Sequence, residues 1–153
     1  MRFLFVFLLL SIPVFSKAQI VIDSDRESYK KTISKALEKI ALIDSIYYRR
    51  ILDVCDTVLV WNSNFSTCGY DLASGGKIII SSKDLEIPLL DNICAVLIHE
   101  SLHLKIDILG MNMDRDEEEV VCYNYELLFL LKVPDVDPGL IEHAKTQIRK
   151  RVR

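Results

Sequence analysis

The chain has 153 residues, with 19 basic and 22 acidic side chains and a formal net charge of −3. That length fits one domain with a modest core. The mildly acidic balance argues against a nucleic-acid partner, whose footprint on a protein is a basic patch.

Residues 1–18 read as a signal peptide. Arg2 gives a short positive head, and Phe3 to Leu10 is an apolar run. Ser16-Lys17-Ala18 supplies small residues at a cleavage position, with Gln19 as the new N-terminus. Pro13 interrupts the run, and a spanning helix needs about 20 apolar residues. The expectation is therefore export, to a periplasm or out of the cell, with no stable membrane insertion after cleavage. The remaining chain, 19–153, is expected to be a single domain.

Its first helical signal opens at Ser24, with Glu27 three residues on, the spacing of a capping box. From there apolar residues recur at helical intervals: Tyr29, Ile33, Leu37, Ile40, Tyr47, Ile51 and Val54. This is one long amphipathic helix or two joined. Thr57-Val58-Leu59-Val60-Trp61 reads as a strand. Gly75-Gly76 is a turn signal, and Lys77-Ile78-Ile79-Ile80-Ser81 is a second strand. The two are expected to pair as an antiparallel hairpin with a long connection. Pro88 stands where a helix can begin, and that helix runs through Ile93, Val96 and Leu97 past His103. A further helix covers 117–132 and stops before Pro134, and a last one covers 140–151. The order predicts an α+β domain with helices packed on a small antiparallel sheet. The basic end, Arg149-Lys150-Arg151-Val152-Arg153, reads as a solvated helix terminus.

Cys55, Cys68, Cys94 and Cys122 include no C-x-x-C pair, which argues against a structural zinc knuckle. Export permits disulfides. Of the three connectivities four cysteines allow, the expected one joins Cys55 to Cys68 and Cys94 to Cys122. The other reading is four small buried side chains.

The chemistry lies in His99-Glu100-Ser101-Leu102-His103. Two histidines four residues apart share one face of a helix, so their imidazoles can bite one metal ion. Zinc accepts such nitrogen ligands and needs a third protein ligand with one position left open. Glu100 follows the first ligand directly, which places a general base beside the metal's water. The flanks Ile98, Leu102 and Leu104 are apolar. A helix apolar nearly all round is buried, and its polar groups there need partners, which a metal supplies. The other reading of the motif is a helix whose histidines and glutamate face solvent.

No histidine follows His103 until His143, so a third histidine within the motif is absent. The acidic run Asp114-Arg115-Asp116-Glu117-Glu118-Glu119 opens the next helix. Acids suit the positive end of a helix, but one of them is positioned to do more. Over residues 77–131 the chain resembles the gluzincin metallopeptidases. Their signature is H-E-x-x-H followed by a helix carrying a liganding Glu, with a small residue three positions later where the helices approach. Glu119-Val120-Val121-Cys122 has that form.

The resemblance implies a zincin-like minimal catalytic domain that hydrolyses peptide bonds of a peptide or protein substrate. It implies zinc held by His99, His103 and Glu119, with Glu100 as general base. Glu118, on the stripe with Val121, Cys122 and Tyr125, and Glu126, an isolated acid further along, are the alternative third ligands. The resemblance also implies that Ile78-Ile79-Ile80-Ser81 is an edge strand that docks an extended peptide at Ile79 and Ile80. Tyr123, Tyr125 and His143 are candidates by type for stabilising an oxyanion, with a structural role the bland reading of His143.

Two other functions stay open on the residues alone. One is a non-catalytic binding module stabilised by zinc, with a fourth side chain in place of water. The other is an exported interaction protein in which the motif is accidental.

Overall fold

The computed structural model describes residues 19–66, 68–86 and 89–152. The proposed signal peptide and Pro88 therefore lie outside the described residues. Among those described, six helices accompany a four-stranded sheet, an α+β arrangement. The chain begins with β1 (Val21–Asp23) and then α1 (Glu27–Ile43). Tyr29, Ile33, Ala36, Leu37 and Ile40 make the buried stripe of α1. Ser24 does not cap this helix. Its hydroxyl accepts from the Arg26 amide at 3.2 Å, a local turn that leaves Arg26 at the N-cap without a side-chain bond.

The amphipathic stretch is two helices, because Asp44 breaks it. Asp44 is extended (φ −156°, ψ 105°), donates its amide to the Ile40 carbonyl, and caps α2 (Ser45–Val54) by accepting from the Ile46 amide at 2.9 Å. That side-chain bond satisfies one of the unpaired donors of the new helix.

The sheet order is β1, β2 (Thr57–Trp61), β4 (Lys77–Ser81), β3 (Gly69–Asp71). The expected antiparallel hairpin is corrected here: β2 and β4 are parallel neighbours, with Val58 opposite Ile78 and Val60 opposite Ile80. Parallel neighbours need a long crossover, and the intervening residues supply it. They carry β3, which pairs antiparallel with β4, Tyr70 opposite Ile78. The sheet is thus mixed rather than antiparallel. β1 and β3, three residues each, are too short to show alternation in the sequence.

The β3–β4 turn demands glycine at one point. Gly76 has φ +68°, and a Cβ there would stand 2.3 Å from the Val54 carbonyl oxygen. The turn presses on the corner between α2 and β2, where the Asp56 amide donates to the Gly76 carbonyl at 2.9 Å. A short helix, α3 (Ser82–Leu85), follows β4.

α4 (Leu90–Ile108) carries the histidine motif through the centre of the molecule. Ile93, Leu97, Ile98 and Leu104 are fully buried, and the helix packs on α1, α2, β3, β4 and α5. Gly110, at φ +61°, ends it, with its amide on the Asp107 carbonyl at 3.0 Å. α5 (Arg115–Leu130) starts two residues before the sequence suggests, because Asp114 is its cap and accepts from the Glu117 amide at 2.9 Å. α6 (Pro138–Arg151) starts at proline, with Asp137 as cap. No described helix is long and apolar enough to cross a membrane.

All four cysteines are free thiols, so the expected disulfides are corrected. The partners expected to pair point to different places. Cys94 donates to the Ala36 carbonyl on α1 at 3.5 Å, whereas Cys122 lies beside the two histidines. Cys55 donates to the Thr57 carbonyl, and Cys68 to a carboxylate oxygen of Asp84, each at 3.3 Å.

Candidate metal centre

The site is made by two helices. Later residues of α4 meet earlier residues of α5, as His103 with Glu118 and His99 with Glu126, so the helices run antiparallel. His99 and His103, one turn apart, aim their Nε2 atoms at each other across 3.1 Å. His99 Nδ1 is 3.1 Å from Glu126 Oε2, and His103 Nδ1 is 2.5 Å from Glu118 Oε1. A carboxylate only accepts, so each Nδ1 carries the proton. In the neutral rings both Nε2 lone pairs then face one space, which suits a cation.

Glu119 closes that space. Its Oε2 stands 3.6 Å from His99 Nε2 and its Oε1 3.8 Å from His103 Nε2. Cys122, one turn on along α5, is fully buried. His99, His103 and Cys122 form a buried group able to hold a metal ion, their ligand atoms within 4.8 Å of one another. Glu119 and Cys122 thus both stand near the third ligand position. The carboxylate is the one that spans the two imidazoles.

The charges answer each other. Burial works against a proton on His99, but Glu119 and Glu126 outweigh it and raise its pKa to about 9. His99 in turn is the main cause that holds the Glu119 carboxyl below its ordinary range. Glu100 is buried at 8% exposure, and that burial raises its carboxyl pKa against the pull of both histidines.

Two clefts meet at this point. A larger one of about 620 Å³ is lined by His99, Glu100, Glu119, Tyr123, His143 and Arg151, among others. A smaller one of about 230 Å³ is lined by Tyr70, Glu100, His103, Glu118 and Glu119, among others. Glu100, Glu119 and Cys68 border both.

Of the other residues singled out in the sequence, some arrive and some do not. Glu118 and Glu126 hold the outer nitrogens of the histidines instead of facing the space between them. Tyr123 meets His99 edge-on at 4.4 Å, and His143 stands 6.1 Å beyond it. Tyr125 faces away: its hydroxyl takes a 2.5 Å bond from Arg50 and its ring lies on Tyr47 at 4.6 Å. The edge-strand expectation is corrected. β4 is interior, with β2 and β3 on either side, and Ile80 is fully buried while Ile79 is half-buried opposite Leu59 and Gly69. The edge strand on this side is β3.

Two residues at the site escape a reading by motif. Tyr70 on β3 stacks on His103, centroids 5.1 Å apart and planes at 7°. Arg151, read as part of a solvated terminus, lies over the Tyr123 ring at 5.2 Å and 3.7 Å from Glu119. Neither has a signal in local spacing, because each reaches the site from a distant element. No family model, curated protein or solved structure matches this chain.

Proposed function

We propose that this chain is an exported zinc-dependent peptidase acting on a peptide or protein substrate, with a zincin-like domain of the gluzincin kind. The observation that carries the reading is the convergence of two imidazole Nε2 atoms and one carboxylate on a single space, each outer nitrogen held by its own glutamate. Two neutral imidazoles and a carboxylate are a donor set suited to catalytic zinc. His99, His103 and Glu119 would hold the ion. Zinc there supplies Lewis-acid polarisation of a carbonyl and a water acidified toward neutral pH.

The chain's own groups do the rest. Glu126 and Glu118 keep the protons on Nδ1 and fix the ring orientations, the usual office of carboxylates behind metal-binding histidines. The flat stack of Tyr70 holds the plane of His103. Glu100 borders both clefts, takes a proton from water on one side and returns it to the departing amine. Its burial keeps the carboxyl pKa above the ordinary value, which suits a group that must both accept and release. The exchange Glu100→Gln is expected to keep about one zinc per chain and to abolish hydrolysis. Retained turnover would remove Glu100 from this role.

One observation favours a second reading, a non-catalytic module closed by zinc. Cys122 lies beside the histidines, and a thiolate joining Glu119 would fill the site with protein ligands. Cobalt substitution separates the two. A thiolate-to-metal absorption band, absent in Cys122→Ser, belongs to the closed site.

A further inference from the structure

We infer that Arg151 is the carboxylate-recognising residue of this site, so that the substrate is a peptide bound by its free carboxy-terminus and cut one or two residues from that end. The inference rests on the peptidase reading above. Three observations carry it.

The first is charge. Among the described residues that line the larger cleft, Arg151 is the permanent cation, in the company of Asp84, Glu100, Glu119 and Glu126. Asp84 is already engaged by Ser66 and Cys68. An anion entering this cleft therefore has one cationic side chain to meet besides the metal centre.

The second is how the guanidinium is held. Its Nη1 donates to the Gln147 carbonyl at 3.1 Å and to Gln147 Oε1 at 2.8 Å, one turn back on α6. The plane lies over Tyr123. Those contacts fix the group and consume one nitrogen. The remaining fork, Nε and Nη2, reaches Asp116 at 3.9 Å and Glu119 at 3.7 Å, ion-pair distances longer than a hydrogen bond. Asp116 is exposed, and Glu119 is the residue a metal would claim. A fixed, half-buried guanidinium with its side-on fork loosely filled is built to take a carboxylate by two parallel bonds.

The third is reach. One atom, Glu119 Oε2, stands 3.6 Å from His99 Nε2 and 3.7 Å from Arg151 Nη2. The fork thus lies within about 7 Å of the metal-facing nitrogen, the span of roughly two extended residues. A terminal carboxylate held there brings the first or second carbonyl before it to the reacting centre.

The test uses the zinc-loaded chain and matched peptides ending in a free acid or an amide. Free acids are expected to be cut one or two residues from the end. Amidation is expected to lower kcat/KM by roughly 10- to 100-fold, the range of a hydrogen bond to a charged group. Arg151→Gln should remove that difference by raising KM for the acid alone, and Arg151→Lys should restore part of it, at unchanged zinc content. Internal cleavage, or equal rates on acid and amide with the wild-type chain, overturns the inference without needing a variant that folds. Binding of an N-acetylated dipeptide acid against its amide to zinc-loaded Glu100→Gln separates the two levels. Preference for the acid with no turnover by the wild type refutes the peptidase reading and keeps Arg151 as the anion site. Absence of preference refutes Arg151 alone.

Discussion

Glu126 Oε2 stands 3.1 Å from Nδ1 of His99, while Glu119, two turns earlier on the same helix, faces Nε2 of the same ring from 3.6 Å. One helix thus bonds this imidazole at its outer nitrogen and sets a second carboxylate opposite its inner one. The outer contact decides which nitrogen is free for a cation.

That division of labour separates the three glutamates. Glu119→Ala or His103→Ala is expected to lose stoichiometric zinc. Glu126→Ala and Glu118→Ala are expected to keep it with affinity weakened by about 10- to 100-fold. Competition against a chromophoric chelator measures both. Equal loss in all four variants would refute the assignment.

Metal removal should be visible in stability. Carboxylates and imidazoles gathered in a buried site could hold a cation, and a ligand held at about 100 times its Kd adds about 2.7 kcal/mol to folding. For a domain of this size that corresponds to about 10 °C in Tm. Thermal unfolding with a chelator and with excess zinc checks it, and coincident curves would argue against a site that is occupied in the native protein.

Thiol ionisation gives a pH dependence with a definite sign. Burial pushes the Cys55 pKa from 9.0 up to about 11 and that of Cys94 up to about 12. The unfolded chain therefore releases these protons first, and between pH 9 and the folded values the native state binds more protons. Stability from these two groups is intact below pH 9 and falls as pH rises above it. At pH 8 the thiolate fraction of Cys55 drops from roughly one in ten to one in a thousand, so native alkylation should be slow. Denaturant should release four thiols. Fewer than four in unreduced protein would restore the disulfide expectation.

Of the five glycines, Gly76 is the one least open to a side chain. A methyl group there meets the Val54 carbonyl at 2.3 Å in a left-handed conformation. Gly76→Ala is expected to cost about 1–3 kcal/mol, measured by urea unfolding. Gly110→Ala, with a similar φ but open space, should cost less. The reverse order would misplace the turn.

Tyr125→Phe removes only the hydroxyl that Arg50 holds. Zinc content and turnover should be unchanged, whereas a loss of turnover at intact stability would bring Tyr125 back as a candidate.

The sequence by itself determined the features that are local. Four-residue spacing places His99 and His103 on one face of a buried helix with Glu100 beside them, and the acidic run ending in Glu118 and Glu119 at the start of the next, because helical geometry fixes those faces. It also located β2 and β4, whose β-branched runs carry their own signal. It did not decide how those strands pair, since a parallel neighbour depends on a crossover and on β3, too short to read. By resemblance it put Glu119 first, with Glu118 and Glu126 as alternatives, but the separate places of the three around the imidazoles come from the packing of α5 on α4 rather than from either helix alone. Nor could it separate paired from free cysteines, which depends on where distant backbones bring each sulfur. Arg151 is the clearest case: in the sequence it is one charge in a basic run, and only the packing of α6 against α5 carries it onto Tyr123 and beside Glu119.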